Sequence, residues 1–144
     1  MGTSVSVGSR PRRFSLSVRV SGLQLEPAKV TEALECQPDV ALRRGDPLSK
    51  RGSAKAPGGV WLIQVENVAA EDLSATLVKL LRRTTDKTEV WGTLAREFQV
   101  DLFVGIFAKD DNTIWELETE AIRELAQRHL AISFDYYSGA GSNV

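Results

Sequence analysis

The sequence predicts an α+β domain of the ferredoxin-like kind, a two-layer sandwich in which four mainly antiparallel strands carry helices on one face. Three observations lead there. Strand-like and helix-like segments follow one another as strand, helix, strand, helix pair, strand, helix, strand. "LEPAKVTEAL" from Leu25 aligns without a gap on "LETEAIRELA" from Leu117, Val30 falling on Ile122, as if two strand-helix-strand halves were related. The helix pair between the second and third strands reads as an inserted hairpin, which would return the chain to the end of the sheet it left. One domain is expected over 14–137, with flexible ends at 1–13 and 138–144.

Each element has its own justification. In "FSLSVRVS" Phe14, Leu16, Val18 and Val20 alternate with Ser15, Ser17 and Arg19, the period of a half-buried strand. A first-turn proline, Pro27, opens a helix to about Glu35 with Val30, Ala33 and Leu34 on one stripe. "GGVWLIQVE" gives a strand over Val60 to Glu66. Leu73, Leu77, Leu80 and Leu81 recur at helical spacing between an acidic start and a basic end, as the helix dipole favours. A second helix carries Val90, Leu94 and Phe98, with Asp86 and Glu89 spaced as a capping box and Gly92 as its weak point. Val100 to Ala108 form a strand. Thr119 is placed to cap a helix with the stripe Ile122, Leu125, Ala126 and His129. In "AISFDYY" Ile132, Phe134 and Tyr136 share a face of the last strand.

Composition narrows the functional classes. The 144 residues include one cysteine, Cys36, which excludes an internal disulfide and a multi-cysteine zinc site and fits a reducing cytoplasm. "MGTSVS" matches the loose myristoylation pattern through Gly2 and Ser6, yet reads as a frayed start. The N-terminal stretch reads without an apolar leader and no run is long enough to span a membrane, so neither secretion nor membrane spanning is expected. Net charge is -1, but residues 1–55 hold ten basic and five acidic residues against eight and fourteen in 56–144. An anion would therefore be drawn only to the first part, and the usual strongly basic nucleic-acid footprint is missing.

A catalytic reading finds little to work with. The single histidine, His129, sits on a helix stripe. Cys36 follows a helix and gains no help from a helix N-terminus. The acids Asp110, Asp111, Glu116, Glu118 and Glu120 lack the spacing of a calcium loop and read as a solvated turn with first-turn helix acids. No phosphate-binding or dinucleotide glycine motif is present, so no cofactor is expected. Arg44 to Asp46 spell an adhesion tripeptide in a chain with no extracellular mark.

Two regions remain as candidates. The stretch "ALRRGDPLSKRGSAKAPGGVW" places Arg43, Arg44, Lys50 and Arg51 before Trp61, so arginine forks and a stacking indole are offered to a small anion or nucleotide-like ligand. Its middle, "LSKRGSAK", reads as a mobile basic flap, and its two ends are expected to meet beside the sheet. The second candidate is the uncovered sheet face, where Asp101, Phe103, Gly105 and Phe107 point outward with Ser15, Ser17, Arg19, Ser133, Asp135 and Tyr137. Two outward phenylalanines suggest an RNA-stacking platform, but its basic-Gly-aromatic signature is absent. Phe103, Phe107 and Tyr137 are instead expected to form an interface with a second copy or a protein partner.

From "FSLSVRVSG" through "LEPAKVTEALECQPDVALRRGDP", "GGVWLIQVE" and "VDLFVGIFAKDDNTIWELETEAI" to "LAISFDYY", the chain resembles a bacterial domain family of unknown function, number four-two-seven-nine. The family pattern of a small or aromatic residue, a basic residue, Gly, Asp or Glu, and Pro falls on Arg43, Arg44, Gly45, Asp46 and Pro47, and its Gly-x-Trp falls on Gly59 and Trp61. Leu42 stands where an aromatic is typical. The resemblance implies a small α+β domain and no activity. The combined expectation is a non-enzymatic interaction or regulatory module, for instance of the immunity type, and the alternative is a small-anion or nucleotide-like ligand site.

Overall fold

The computed structural model describes residues 13–109 and 113–138. Its strands are β1 (Arg13–Gly22), β2 (Val40–Leu42), β3 (Gly59–Val68), β4 (Gln99–Ala108) and β5 (Ala131–Ser138). Its helices are α1 (Pro27–Leu34), α2 (Leu73–Leu81, entered through a short 3-10 turn), α3 (Thr88–Glu97) and α4 (Thr119–Gln127). The strands form one sheet in the order β2-β3-β1-β4-β5. The chain is an α+β domain.

The sheet is five-stranded and mixed, so the four-stranded ferredoxin-like expectation is corrected. β1 runs antiparallel to both β3 and β4, which makes those two parallel to each other, and β5 lies parallel to β4. Gly22 pairs with Gly59, so the chain between β1 and β3 departs from and returns to the same end of the sheet, adding β2 at its edge on the way, and α1 is not a crossover helix. Val68 sits opposite Phe14, whereas Gln99 sits opposite Ser21. The helix pair α2–α3 therefore carries the chain from one end of the sheet to the other instead of turning back. Two parallel crossovers result: β3–α2–α3–β4, with β1 between its strands, and β4–α4–β5, whose strands are adjacent.

α4 also departs from the expected repeat. Val30 is 2% exposed, whereas its supposed counterpart Ile122 is 52% exposed. The inner positions of α4 are Ala121 and Leu125, followed just past the helix end by Arg128, whose side chain is 1% exposed. Its guanidinium donates to the Glu124 carboxylate at 2.7 Å, to the Glu124 carbonyl at 3.2 Å and to Thr84 Oγ1 at 3.2 Å. A buried charge is tolerated when it is paired and hydrogen-bonded in this way. Patterning by apolar letters cannot place an arginine inside. His129, on the expected stripe, lies beyond the helix, exposed, at φ 53°.

Two expected caps also differ. Lys87 is the residue before α3, and no side chain caps it, so Asp86 and Glu89 form no capping box. Thr119 is the first residue of α4, and Glu118 precedes it, donating its backbone N–H to Ser74 Oγ at 2.8 Å. Most local expectations agree with the observed elements. Phe14, Leu16, Val18 and Val20 are at most 1% exposed and face α2, whose Leu73, Leu77, Leu80 and Leu81 are equally buried. Each such side chain contributes roughly 2 kcal/mol by leaving water. Trp91 on α3 is also buried and donates its indole N–H to the Thr85 carbonyl at 2.8 Å.

Candidate functional site

The basic stretch is an ordered excursion at one edge of the sheet. Ala41 and Leu42 of β2 pair with Trp61 and Val60, so its two ends do meet. Between them the chain closes on itself: Gly45 N–H donates to the Ala56 carbonyl at 2.8 Å, Ala56 N–H to Asp46 at 2.7 Å, and Leu48 N–H to Ala54 at 3.0 Å. Pro47 and Lys55 bridge across it, and at its tip Gly52 N–H donates to Ser49 Oγ at 2.9 Å. The expected flap is thus a hydrogen-bonded hairpin.

Its motif residues have structural jobs. Gly45 occupies φ 90°, a conformation costly for a residue with a Cβ. Asp46 accepts the Arg43 backbone N–H at 2.7 Å and so closes the turn that spells Arg44-Gly45-Asp46. A Cβ on Gly59 would lie 2.3 Å from the Leu25 carbonyl oxygen, which forces a glycine where the returning strand presses on residues 22–25. Trp61 is fully buried, its indole N–H donating to Thr31 Oγ1 at 3.0 Å. Its ring is therefore not available to a ligand, against the expected stacking role. Arg43 pairs with Glu26 at 3.3 Å. Arg44, Lys50 and Arg51 are exposed, and among the described residues they form no ion pair.

The helix-free face of the sheet is built as expected from the register of β1, β4 and β5, and divides into two parts. At the Ser21 end, Arg19 grips Asp101 with two hydrogen bonds of 2.9 and 2.8 Å, and Ser133 adds a third at 2.8 Å. Burial pushes the Asp101 carboxyl up, but these hydrogen bonds and the Arg19 charge outweigh it and leave its pKa below the ordinary value. The Arg19 guanidinium lies 4.3 Å from the Phe103 ring centre. Phe103 is thereby half-buried under a cation.

At the opposite end the surface is aromatic. Phe107 and Tyr137 pair across β4 and β5 and stack with centroids 5.0 Å apart and planes 6° from parallel. They stay 44% and 49% exposed. The Tyr137 hydroxyl donates to Asp135, and that hydrogen bond raises its pKa. On the side of Phe107 away from Tyr137 lies an open hollow of about 390 Å³ lined by Arg13, Ser15, Glu66 and Asn67. Asn67 takes φ 60° where the β1–β3 register slips. Of the three expected interface residues, Phe107 and Tyr137 act together and Phe103 belongs to the Arg19 network.

Further aromatic surface was hidden from the sequence. Ile132, Phe134 and Tyr136 do share the helix side of β5, as their pairing with Leu102, Val104 and Ile106 shows. The core reaches Ile132, however, and stops short of Phe134 and Tyr136, which are 53% and 40% exposed. Trp115 leans across this margin, touching Phe14, Phe134 and Tyr136. The available signal was the density of aromatics in "SFDYY", which supplies both faces of one strand.

Among the described residues, Cys36 and His129 lie apart from one another, Cys36 after α1 and His129 past the end of α4. Cys36 is half-buried; burial raises its thiol pKa, and the Arg83 charge opposes that only in part. Among the described residues no three His, Cys, Asp or Glu side chains cluster as metal ligands. Asp110, Asp111, Gly2 and Ser6 lie outside the described residues, as do the two expected flexible ends beyond Arg13 and Ser138, which themselves are strand residues. Among the described residues no helix is long and apolar enough to cross a membrane. No curated protein and no solved structure matches the chain. A family model described as a domain of unknown function, DUF4279, matches residues 12–139, nearly the whole length, and the chain belongs to that family.

Proposed function

We propose that this domain is a non-enzymatic protein-interaction module, regulatory or immunity-type in role and cytoplasmic in setting, whose recognition surface is centred on Phe107 and Tyr137. The observation that carries the reading is the stacked pair itself, held half-exposed on a sheet face that no helix covers. Aromatic pairs of this kind are costly to leave in water and are enriched at interface centres. The hollow beside Phe107 provides a socket for a partner side chain. A photoreactive phenylalanine analogue at position 107 tests it in producing cells. A discrete adduct there, with none from the same analogue at exposed Leu23, is expected; silence at both positions contradicts the reading.

A second reading, a small-anion site on the 43–55 hairpin, is favoured by one observation: Arg44, Lys50 and Arg51 stand exposed without partners among the described residues. Trp61 has no part in it. Thermal-shift measurements across inorganic phosphate, nucleotides and dicarboxylates would show stabilisation under this reading and none under the first.

A further inference from the structure

The two edges of the sheet are unequally defended. On one side β2 is three residues long and is followed at once by the hydrogen-bonded hairpin with Pro47. Short edges and prolines are the means by which proteins prevent strands from pairing between molecules. On the other side β5 runs for eight residues, Ala131–Ser138, parallel to β4, and nothing among the described residues lies beyond it in the sheet. It contains no proline, no lysine and no bulge in its register with β4. Aromatic side chains project from both of its faces, Phe134 and Tyr136 toward the helix layer and Tyr137 toward the open face.

From this geometry we propose that a second copy of the chain pairs antiparallel with the outer edge of β5, continuing the sheet across a two-fold axis at Phe134. This names the partner for one surface of the interaction module and rests on that reading. The axis of such a pair stands normal to the sheet, and directly opposed residues must share a face. Opposed residues therefore differ by an even number, and the axis lies level with one residue. Two positions keep seven residues of each strand in register. Centring on Asp135 would oppose two carboxylates, which repel. Centring on Phe134 opposes Phe134 to its own copy, Ile132 to Tyr136, Ser133 to Asp135 and Ala131 to Tyr137. The helix-side row then brings Ile132, Phe134 and Tyr136 of the two copies together, and no carboxylate opposes another. That self-complementarity selects a second copy over an unrelated strand.

Light scattering over a wide concentration range, with β5 variants, tests this. The expected mass is twice the 15.8 kDa of one chain, falling to one chain in Phe134→Lys, which places two cations at the axis. In a Cys36→Ser background, Phe134→Cys should give an oxidised covalent dimer, whereas Tyr137→Cys should not, its own copy lying far along the opposed strand. A wild-type monomer at every concentration overturns the proposal, as does a dimer that ignores Phe134→Lys or cross-links at 137 but not at 134. None of these outcomes touches the adduct expected at Phe107, so failure of the dimer and failure of the interaction reading are separable.

Discussion

The hairpin edge around residues 43–59 and the aromatic edge around β5 look opposite in sequence and in structure. The first is conspicuous on paper, with arginines, paired glycines and a tryptophan, yet nearly every motif residue is used internally. Gly45 makes the turn, Asp46 closes it, Gly59 admits the returning strand and Trp61 fills the core. The second reads as an ordinary closing strand, yet it leaves Phe107, Phe134 and Tyr137 in water. A conspicuous motif can be a folding device, whereas a surface available for binding shows itself only once the covering helices are placed.

Substitutions separate the two regions, and the largest effect belongs to the hairpin edge. Trp61→Ala removes a fully buried ring and strands the Thr31 hydroxyl, and should cost about 3–5 kcal/mol in denaturant unfolding. Gly59→Ala, which drives a methyl group into the Leu25 carbonyl, should cost about 1–3 kcal/mol. Little change in either would mean that this edge is not architectural.

An intermediate effect is expected between the regions, at Arg19 and Asp101. Because the Asp101 pKa is lower folded than unfolded, its stabilisation is complete above the ordinary carboxylate range and is lost as pH falls through the folded value. Arg19 is 39% exposed, so solvent screening holds the pair to roughly 1 kcal/mol. Asp101→Asn should accordingly lower stability at neutral pH and flatten its acid dependence; an unchanged acid limb would remove Asp101 from the account.

The smallest effects should come from the hairpin tip, where Lys50→Ala with Arg51→Ala should alter stability by less than about 0.5 kcal/mol. A larger loss would show that these cations hold the hairpin together.

The division between what was legible and what was not follows the same physics. β1 alternates strictly, and once Val100, Leu102, Val104 and Ile106 of β4 are set toward the helices the outward Phe103 and Phe107 follow from strand geometry. The α2 stripe was legible because Leu73, Leu77, Leu80 and Leu81 meet the core at helical spacing. Topology was not, because strand order and direction are non-local, and the α4 stripe misled because buried Arg128 takes an inner position that a pattern of apolar letters assigns to its neighbours. β2 escaped notice since three residues carry no usable period. Outward Phe107 and Tyr137 followed from alternation, but their stacking depends on β4 and β5 being adjacent and in register, which is non-local information.

The central claim is that binding belongs to the aromatic surface and not to the basic hairpin. The most direct measurement places the same photoreactive residue at Phe107 and, in a second variant, at Arg51, and compares their adducts in the same cells. A discrete adduct from 107 and none from 51 is the expected result; an adduct from 51 with none from 107 would contradict it.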